Sequence, residues 1–258
     1  MTRTVASAVL TASLLVVAAA APSAVRSETG IPTYMATYNV EYKGKNLGTS
    51  EYTVTYDAKR DTYEFVSSTR VKGLLRLVSP KPAVERSQFK LVNGKIVPLE
   101  YWHEDGSRKG EDNSHFTFDW QRHVVVVSDK NGRREVRIKD GTLDRGCIQV
   151  ALMRDLILTG KLSGTYLMAD DDSVEPYDYV DMGETVTATG LGQIPTRSFV
   201  QHRENSSRTT TLLMAPSLSY LPARIEQTKD GELQTAFTLE SVEGLDGAPI
   251  PTGKKKRR

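Results

Sequence analysis

The chain has 258 residues, 34 of them basic and 32 acidic, with four histidines and a single cysteine, Cys147. One cysteine excludes an internal disulfide, so the core alone must hold the fold. Setting aside Arg3 and the terminal KKKRR (254–258) leaves 28 basic against 32 acidic residues, a mildly acidic body unlike the charge pattern of a nucleic-acid binder.

The first twenty residues read as a signal peptide. Arg3 supplies the positive start, ASAVLTASLLVVAAA (6–20) an apolar run too short to span a bilayer, and Ala18 and Ala20 the small residues before a cut after Ala20. No cysteine lies near that cut, which excludes a lipid-modified terminus. Residues 21–32 read as a flexible lead-in, 33–246 as one β-rich domain, and 247–258 as a disordered basic tail. The tail is either a solvated end or a contact for anionic head groups and acidic glycans. No second apolar run reaches spanning length, so no transmembrane segment is expected after cleavage.

Strand signals dominate from residue 33. YMATYNVEYKG alternates with period two and puts Tyr34, Ala36, Tyr38, Val40 and Tyr42 on one face. GTSEYTVTYD and TYEFVSSTRV follow across the turn-rich DAKRD. ERSQFKLVNGKIVPLEYWHE reads as a hairpin through Asn93-Gly94, and HFTFDWQRHVVVVSDKNGRREVRIKDG as another turning at residues 129–132. Beyond residue 160 come GTYLMADD, EPYDYVDM, ETVTATG, TRSFVQHR, RTTTLLM, PARIEQT and ELQTAFTLESVE. Short connections join antiparallel neighbours, and a sheet of a dozen or so strands curls. The fold class is therefore mainly β: one strongly curved antiparallel meander, an open or incomplete barrel.

Residues 143–159, LDRGCIQVALMRDLILT, read as the single helix. Ile148, Val150, Ala151, Leu152, Met153, Leu156, Ile157 and Leu158 wrap most of its circumference, which marks a buried helix. The concave side of the curl is the place for it. Asp144 is placed to cap its first turn and Gly160 to end it. Cys147 in that first turn is either a nucleophile or packing. A nucleophile needs a base within reach, and His103, His115, His123 and His202 are scattered through strands, so packing is the expectation.

LDRGCIQVALMRDL resembles the central motif of an exported bacterial family, the domain of unknown function 3108, through Asp144, Leu152, Met153 and Arg154. Gly146 stands where that motif has a larger apolar residue, and Cys147 where it has serine. YNVEYKGKNLGTSEYTV resembles the family's opening through Tyr38, Val40, Tyr42, Gly44 and Gly48. HFTFDW and SYLPARIEQTKDG resemble later strands through Asp119, Trp120, Pro222 and Arg224. The resemblance implies a periplasmic β-rich protein, related in architecture to the lipoprotein carriers, whose open barrels surround an apolar cavity. It supplies no catalytic residue.

Other chemistry has weak support. Ser87 and Lys90 have the spacing used by penicillin-recognising enzymes, but a strand puts them on opposite faces. The acid-rich stretch 169–181 lacks the glycine and spacing of a calcium loop and reads as a solvated inter-strand connection. Asn205-Ser206-Ser207 matches a glycosylation acceptor, relevant only in a eukaryotic secretory route. No cofactor motif and no metal-ligand spacing occurs. Eleven tyrosines bias the aromatics towards side chains with an apolar body and a polar tip. Tyr34, Tyr38, Tyr42, Trp102 and Trp120, with Ile148, Leu152 and Leu156, are candidates to line a ligand cavity; the plainer reading is that they cover a core. Gly44, Gly48, Asp119, Asp144, Arg154 and Pro222 are read as structural.

These observations point to a periplasmic, non-enzymatic binding or chaperone-like protein for a hydrophobic or amphipathic envelope component, such as a lipid or acyl chain. A scaffold for envelope protein partners is the first alternative. A hydrolase using Cys147 is the second.

Overall fold

The structure, a computed structural model, describes residues 30–202 and 207–245. The signal peptide, the glycosylation pattern's first two residues and the basic tail lie outside the described residues. Among those described, no helix is long and apolar enough to cross a membrane.

One sheet of fifteen strands holds the whole fold. Strands β1 (Tyr34–Tyr42), β2 (Lys45–Asp57), β3 (Thr62–Val71), β4 (Ala83–Val92), β5 (Lys95–Glu104), β6 (Ser114–Asp119), β7 (Val124–Asp129) and β8 (Gly132–Arg137) step outward from the centre, each beside the last. The chain then crosses to the opposite edge. There β9 (Thr142–Leu143), helix α1 (Arg145–Thr159), β10 (Thr165–Ala169), β11 (Val174–Thr189), β12 (Gly192–His202), β13 (Arg208–Ala215), β14 (Leu221–Lys229) and β15 (Glu232–Glu243) bring it back, until β15 pairs with β1. Two meanders thus share a central seam, and no ladder joins β8 to β9.

The sequence-level expectation of a curved, open sheet around one apolar helix holds, with three corrections. β9 and β10 run parallel, because α1 intervenes and only a crossover of that length permits a parallel pair. EPYDYVDM and ETVTATG are one strand, β11, with an irregularity at Met182. The Gly183 N–H bonds Asp181 Oδ1 there, and a left-handed backbone at Gly183 absorbs one extra residue without reversing the chain. Finally, the acid-rich stretch is a connection only over residues 170–173; from Val174 onward it is strand. A short 3-10 turn at Gly73–Leu77, between β3 and β4, had no signal that distinguished it.

Local chemistry explains the shape. The turns Lys43-Gly44, Asn93-Gly94 and Asp230-Gly231 all place two successive residues at positive φ, the mirror-image turn whose twist suits tight hairpins. Register shifts interrupt six of the strand pairings, and each such bulge bends its strand and increases the local twist. The accumulated curl brings β9 against β5, and Ala169 of β10 into a cluster with Tyr101, Phe116, Val125 and Val127 from β5–β7.

The concave face holds the main core. Tyr34, Ala36 and Tyr38 of β1, Val54 of β2, Phe65 of β3 and Phe89 of β4 close around Cys147, Leu152, Met153 and Leu156 of α1. Asp144 caps the helix by accepting from the backbone N–H groups of Gly146 and Cys147, and Gly160 ends it in the left-handed conformation. An Arg197 guanidinium donates to the Gly160 carbonyl at 2.8 Å, a cation at the negative end of the helix. Asp155, one of the few polar helix residues, accepts from Tyr166 and Ser163. Upstream of β1, Ile31 packs into the core, and Leu158 and Arg154 lie against Gly30.

Lengths decide what α1 can fill. Its 15 residues span about 22 Å, whereas the 13 residues of β2 span about 43 Å. The helix therefore fills only part of the concavity. Its C-terminal end lies with Gly30 and the β4–β5 turn, and the opposite end of the curl is left hollow.

Candidate functional site

The first turn of α1 is anchored by a buried polar cluster. Ser87, at mid-β4 with no exposed surface, hydrogen-bonds the Asp144 carboxylate at 2.7 Å and lies 3.1 Å from Cys147 Sγ. A carboxylate can only accept, so the serine hydroxyl donates to Asp144 and the thiol donates to the serine oxygen. Burial raises the Asp144 carboxyl to about 6, against the opposing pull of its hydrogen bonds from Cys147, Ser87 and Gly146. Burial, with the Asp144 charge beside it, pushes the Cys147 thiol well above its ordinary value. Cys147 has no histidine among its hydrogen-bond partners and no exposed surface, so it is a protonated packing group. Gly146 is explained by the same close approach. A Cβ there would lie 2.6 Å from Ser87 Cβ and 2.8 Å from Phe65 Cδ1.

Next to this anchor lies a cleft of about 410 Å³. One wall is the helix stripe Arg145, Ile148, Gln149 and Leu152, at the spacing that puts four residues on one face. Facing it are Leu212 and Met214 of β13, Ile225 of β14, Phe237 of β15 and Tyr177 and Tyr179 of β11. Ser67 and Thr69 in the second half of β3, Ala83 and Glu85 at the start of β4, and His103 close the third side. The lining is amphipathic: Ile148, Leu152, Leu212, Met214, Ile225 and Phe237 are apolar, and polar groups border them both around Arg145, Glu85, His103 and Gln149 and across the sheet at Gln201, Thr210, Gln227 and Thr235.

Two buried polar atoms in that lining have no hydrogen-bond partner among the described residues, His103 Nδ1 and Gln149 Nε2. His103 Nδ1 stands 3.7 Å from Glu85 Oε1, too far for a hydrogen bond, and Glu85 already accepts from Tyr101 at 3.0 Å. Gln149 acts on the Tyr34 phenol, opposing the rise that burial causes there, yet its Nε2 makes no bond of acceptable geometry. Arg145 is held by Asp170 at 2.6 Å. Burial works against its charge, but Tyr101, Asp170 and Glu85 more than restore it.

The sequence-predicted lining residues divide. Ile148 and Leu152 line the cleft; Leu156 lies deeper, fully buried in the core. Tyr34 and Tyr38 are buried under the helix. The Tyr38 hydroxyl donates to the Pro222 carbonyl at 2.9 Å, and Tyr34 points at Met153 Sδ at 3.8 Å. Tyr42 is exposed, beside Lys43, Lys229 and Gln234 in a polar hollow of about 760 Å³ among hairpin ends. Trp102 stacks on His115 at 5.1 Å, on the face opposite Tyr101. Trp120 stacks on Phe118 and donates to the Pro98 carbonyl at 2.7 Å. The aromatics that do line the cleft, Tyr52, Tyr177, Tyr179 and Phe237, went unselected. Tyr52 alternates with Val54, and Tyr177 with Tyr179, so period two carried their signal.

The structural residues sit as follows. Gly44 is in the β1–β2 turn, and Gly48 lies where a Cβ would meet the Arg70 carbonyl at 2.1 Å. Asp119 accepts from the backbone of Gln121 and Arg122 and so shapes the β6–β7 turn. Arg154 reaches from α1 towards the β4–β5 turn at Gly94. Pro222 supplies the acceptor for Tyr38 and also borders the cleft.

Residues 37–238, from β1 to β15, match the family described as Protein of unknown function (DUF3108). The chain belongs to that family. No curated protein matches the sequence. Among solved structures it is similar to MucB, at 11% identity and a TM-score of 0.36 over 86% of this chain, and spans 55% of that protein. The complex of MucB with MucA(peri) gives 10% identity, a TM-score of 0.37, and coverage of 89% and 56% of the two chains. A protein from Bacteroides fragilis, described as exported with a YmcC-like fold, gives 10% identity and a TM-score of 0.37 over 82% of this chain and 96% of its own.

Proposed function

We propose that this protein is a periplasmic, non-enzymatic binder of an amphipathic envelope molecule, held in the cleft beside α1. What supports the reading is the amphipathic lining. Ile148, Leu152, Leu212, Met214 and Phe237 offer an apolar wall, bordered by Arg145, Glu85, His103 and Gln149 on one side and by Gln201, Thr210, Gln227 and Thr235 on the other. Gln149 Nε2 is closed off from solvent, so a ligand oxygen reaches it as the side chain turns into the cleft, which relieves the roughly 1–3 kcal/mol penalty of a buried unpaired polar group. A volume of about 410 Å³ lies within the range of small-molecule sites, roughly 300–1,000 Å³. The apolar part of the ligand, an acyl chain or comparable tail, lies along Ile148, Leu152, Leu212 and Phe237, and its head group meets Arg145, His103 and Gln149.

Native mass spectrometry and solvent extraction of protein purified from the periplasm test this directly. Leu212→Trp, which fills the cleft from the sheet side, should release the co-purifying lipid while leaving the unfolding transition in place. Protein that is reproducibly empty, and whose thermal transition no fatty acid or lysophospholipid shifts, contradicts the reading.

A further inference from the structure

The connection between β3 and β4 exposes apolar side chains to a degree found nowhere else among the described residues. Leu74, Leu77 and Val78 are 83%, 66% and 73% exposed, and Leu75 is 43% exposed, all within five consecutive residues. The segment is nevertheless structured: Val78 and Ser79 donate their backbone N–H groups to the Leu75 carbonyl, and Lys72 N–H donates to the Leu47 carbonyl. A clustered apolar tip of this kind marks an interaction site.

Charge says what kind. Residues 65–84 contain Arg70, Lys72, Arg76 and Lys81 and no aspartate or glutamate, in a chain whose body is mildly acidic. All four cations are exposed, and none makes an ion pair with another described residue. Three of them, Arg70, Lys72 and Arg76, converge with Asn39 and Asn46 around a hollow of about 310 Å³ at the foot of the tip. An apolar tip with a cationic collar below it matches the layering of a bilayer surface: acyl region outermost, phosphate next. We infer that residues 72–81 dock the protein on an anionic lipid surface, with Leu74, Leu75, Leu77 and Val78 entering the acyl boundary and Arg70, Lys72 and Arg76 meeting phosphates.

Position adds a reason. Thr69 and Ala83, the strand ends from which the segment springs, also line the α1 cleft. Docking therefore holds the mouth of that cleft against lipid. The docking itself does not depend on what the cleft holds, and binding to vesicles is measured whether the cleft is loaded or empty.

The test is co-sedimentation of the purified chain with vesicles of phosphatidylcholine alone or mixed with phosphatidylglycerol. The parent should bind the anionic vesicles and lose binding as salt rises. Leu74→Ser/Leu77→Ser keeps every charge, including those of the C-terminal run, so the difference between parent and variant reads the tip alone. Two exposed leucines should weaken partitioning about 100-fold, and Lys72→Gln/Arg76→Gln about 25-fold at low salt. In Leu74→Trp, indole fluorescence should shift to the blue and be quenched by brominated acyl chains. Equal binding by parent and Leu74→Ser/Leu77→Ser, or an indole that brominated lipid leaves unquenched, overturns the inference. So does a result in which the serine variant loses a crosslinked envelope protein but keeps its vesicle affinity, which assigns the tip to a protein partner.

Discussion

Replacing Asp144 by asparagine should change how stability depends on pH more than it changes stability itself. The carboxyl is wholly buried and sits at about 6 in the folded protein, against ~3.9 for an aspartate in an unfolded chain. A folded pKa above the unfolded one means that the folded state holds its proton longer. The stability this confers is complete below about pH 4 and is lost as pH rises to about 6 and beyond. The difference of about two pKa units corresponds to roughly 3 kcal/mol. Asparagine keeps an oxygen for the N–H groups of Gly146 and Cys147 but cannot ionise. Asp105, Asp129 and Asp181 are shifted downward and give the whole protein an opposing slope, so the quantity to follow is the difference between variant and parent. Urea unfolding at half-unit intervals from pH 4 to 7.5 should show Asp144→Asn gaining about 3 kcal/mol on the parent across that window, most of it by pH 6.5. Parallel curves would refute the reasoning, since they would mean that the three hydrogen-bonded groups around Asp144 offset its burial and leave it at its ordinary value.

Gly146→Ala should destabilise the fold by about 1–2 kcal/mol in chemical denaturation. Its Cβ would press on Ser87 and Phe65, and overpacking of ~1–3 kcal/mol exceeds the alanine helix preference of at most about 1 kcal/mol; a gain in stability would show that β4 yields. Tyr38→Phe strands the Pro222 carbonyl, which accepts its hydroxyl in the core, and should lower stability by about 1–2 kcal/mol without altering lipid extraction.

The helix was legible because its apolar residues occupy nearly the whole circumference, a pattern only burial tolerates, and because Asp144 and Gly160 mark its ends. The Asn93-Gly94 hairpin and the inward phase of β1 were legible for equally local reasons. The cleft wall was not. On β5, Ile96 and Pro98 face inward, so strict alternation would bring Trp102 in as well. Leu99 is instead an extra residue: Phe89 pairs with Pro98 and Gln88 with Glu100. The phase inverts, Tyr101 and His103 turn inward, and Trp102 is left on the outer face. A bulge carries no reliable sequence mark, so period-two reasoning ends there. The pairing of β1 with β15 is also invisible locally, because it joins segments some 200 residues apart. That seam puts Tyr34 and Tyr38 beneath α1 and leaves Tyr52 and Phe237, 6.2 Å apart, at the cleft.

The cap cluster and the cleft are one construction. Ser87 lies at the middle of β4, opposite Phe65 at the middle of β3, and it is there that Asp144 and Gly146 seat the first turn of α1. Had the helix been seated at the strand ends, Thr69, Ala83 and Glu85 would be packed against it. Seated at mid-strand, it leaves those residues overhanging as the wall of the cleft and the apolar β3–β4 connection standing at its rim. The glycine and the small thiol at positions 146 and 147 let the helix come that close. Close seating at mid-strand is thus what makes a plug for the core into one wall of the cleft as well.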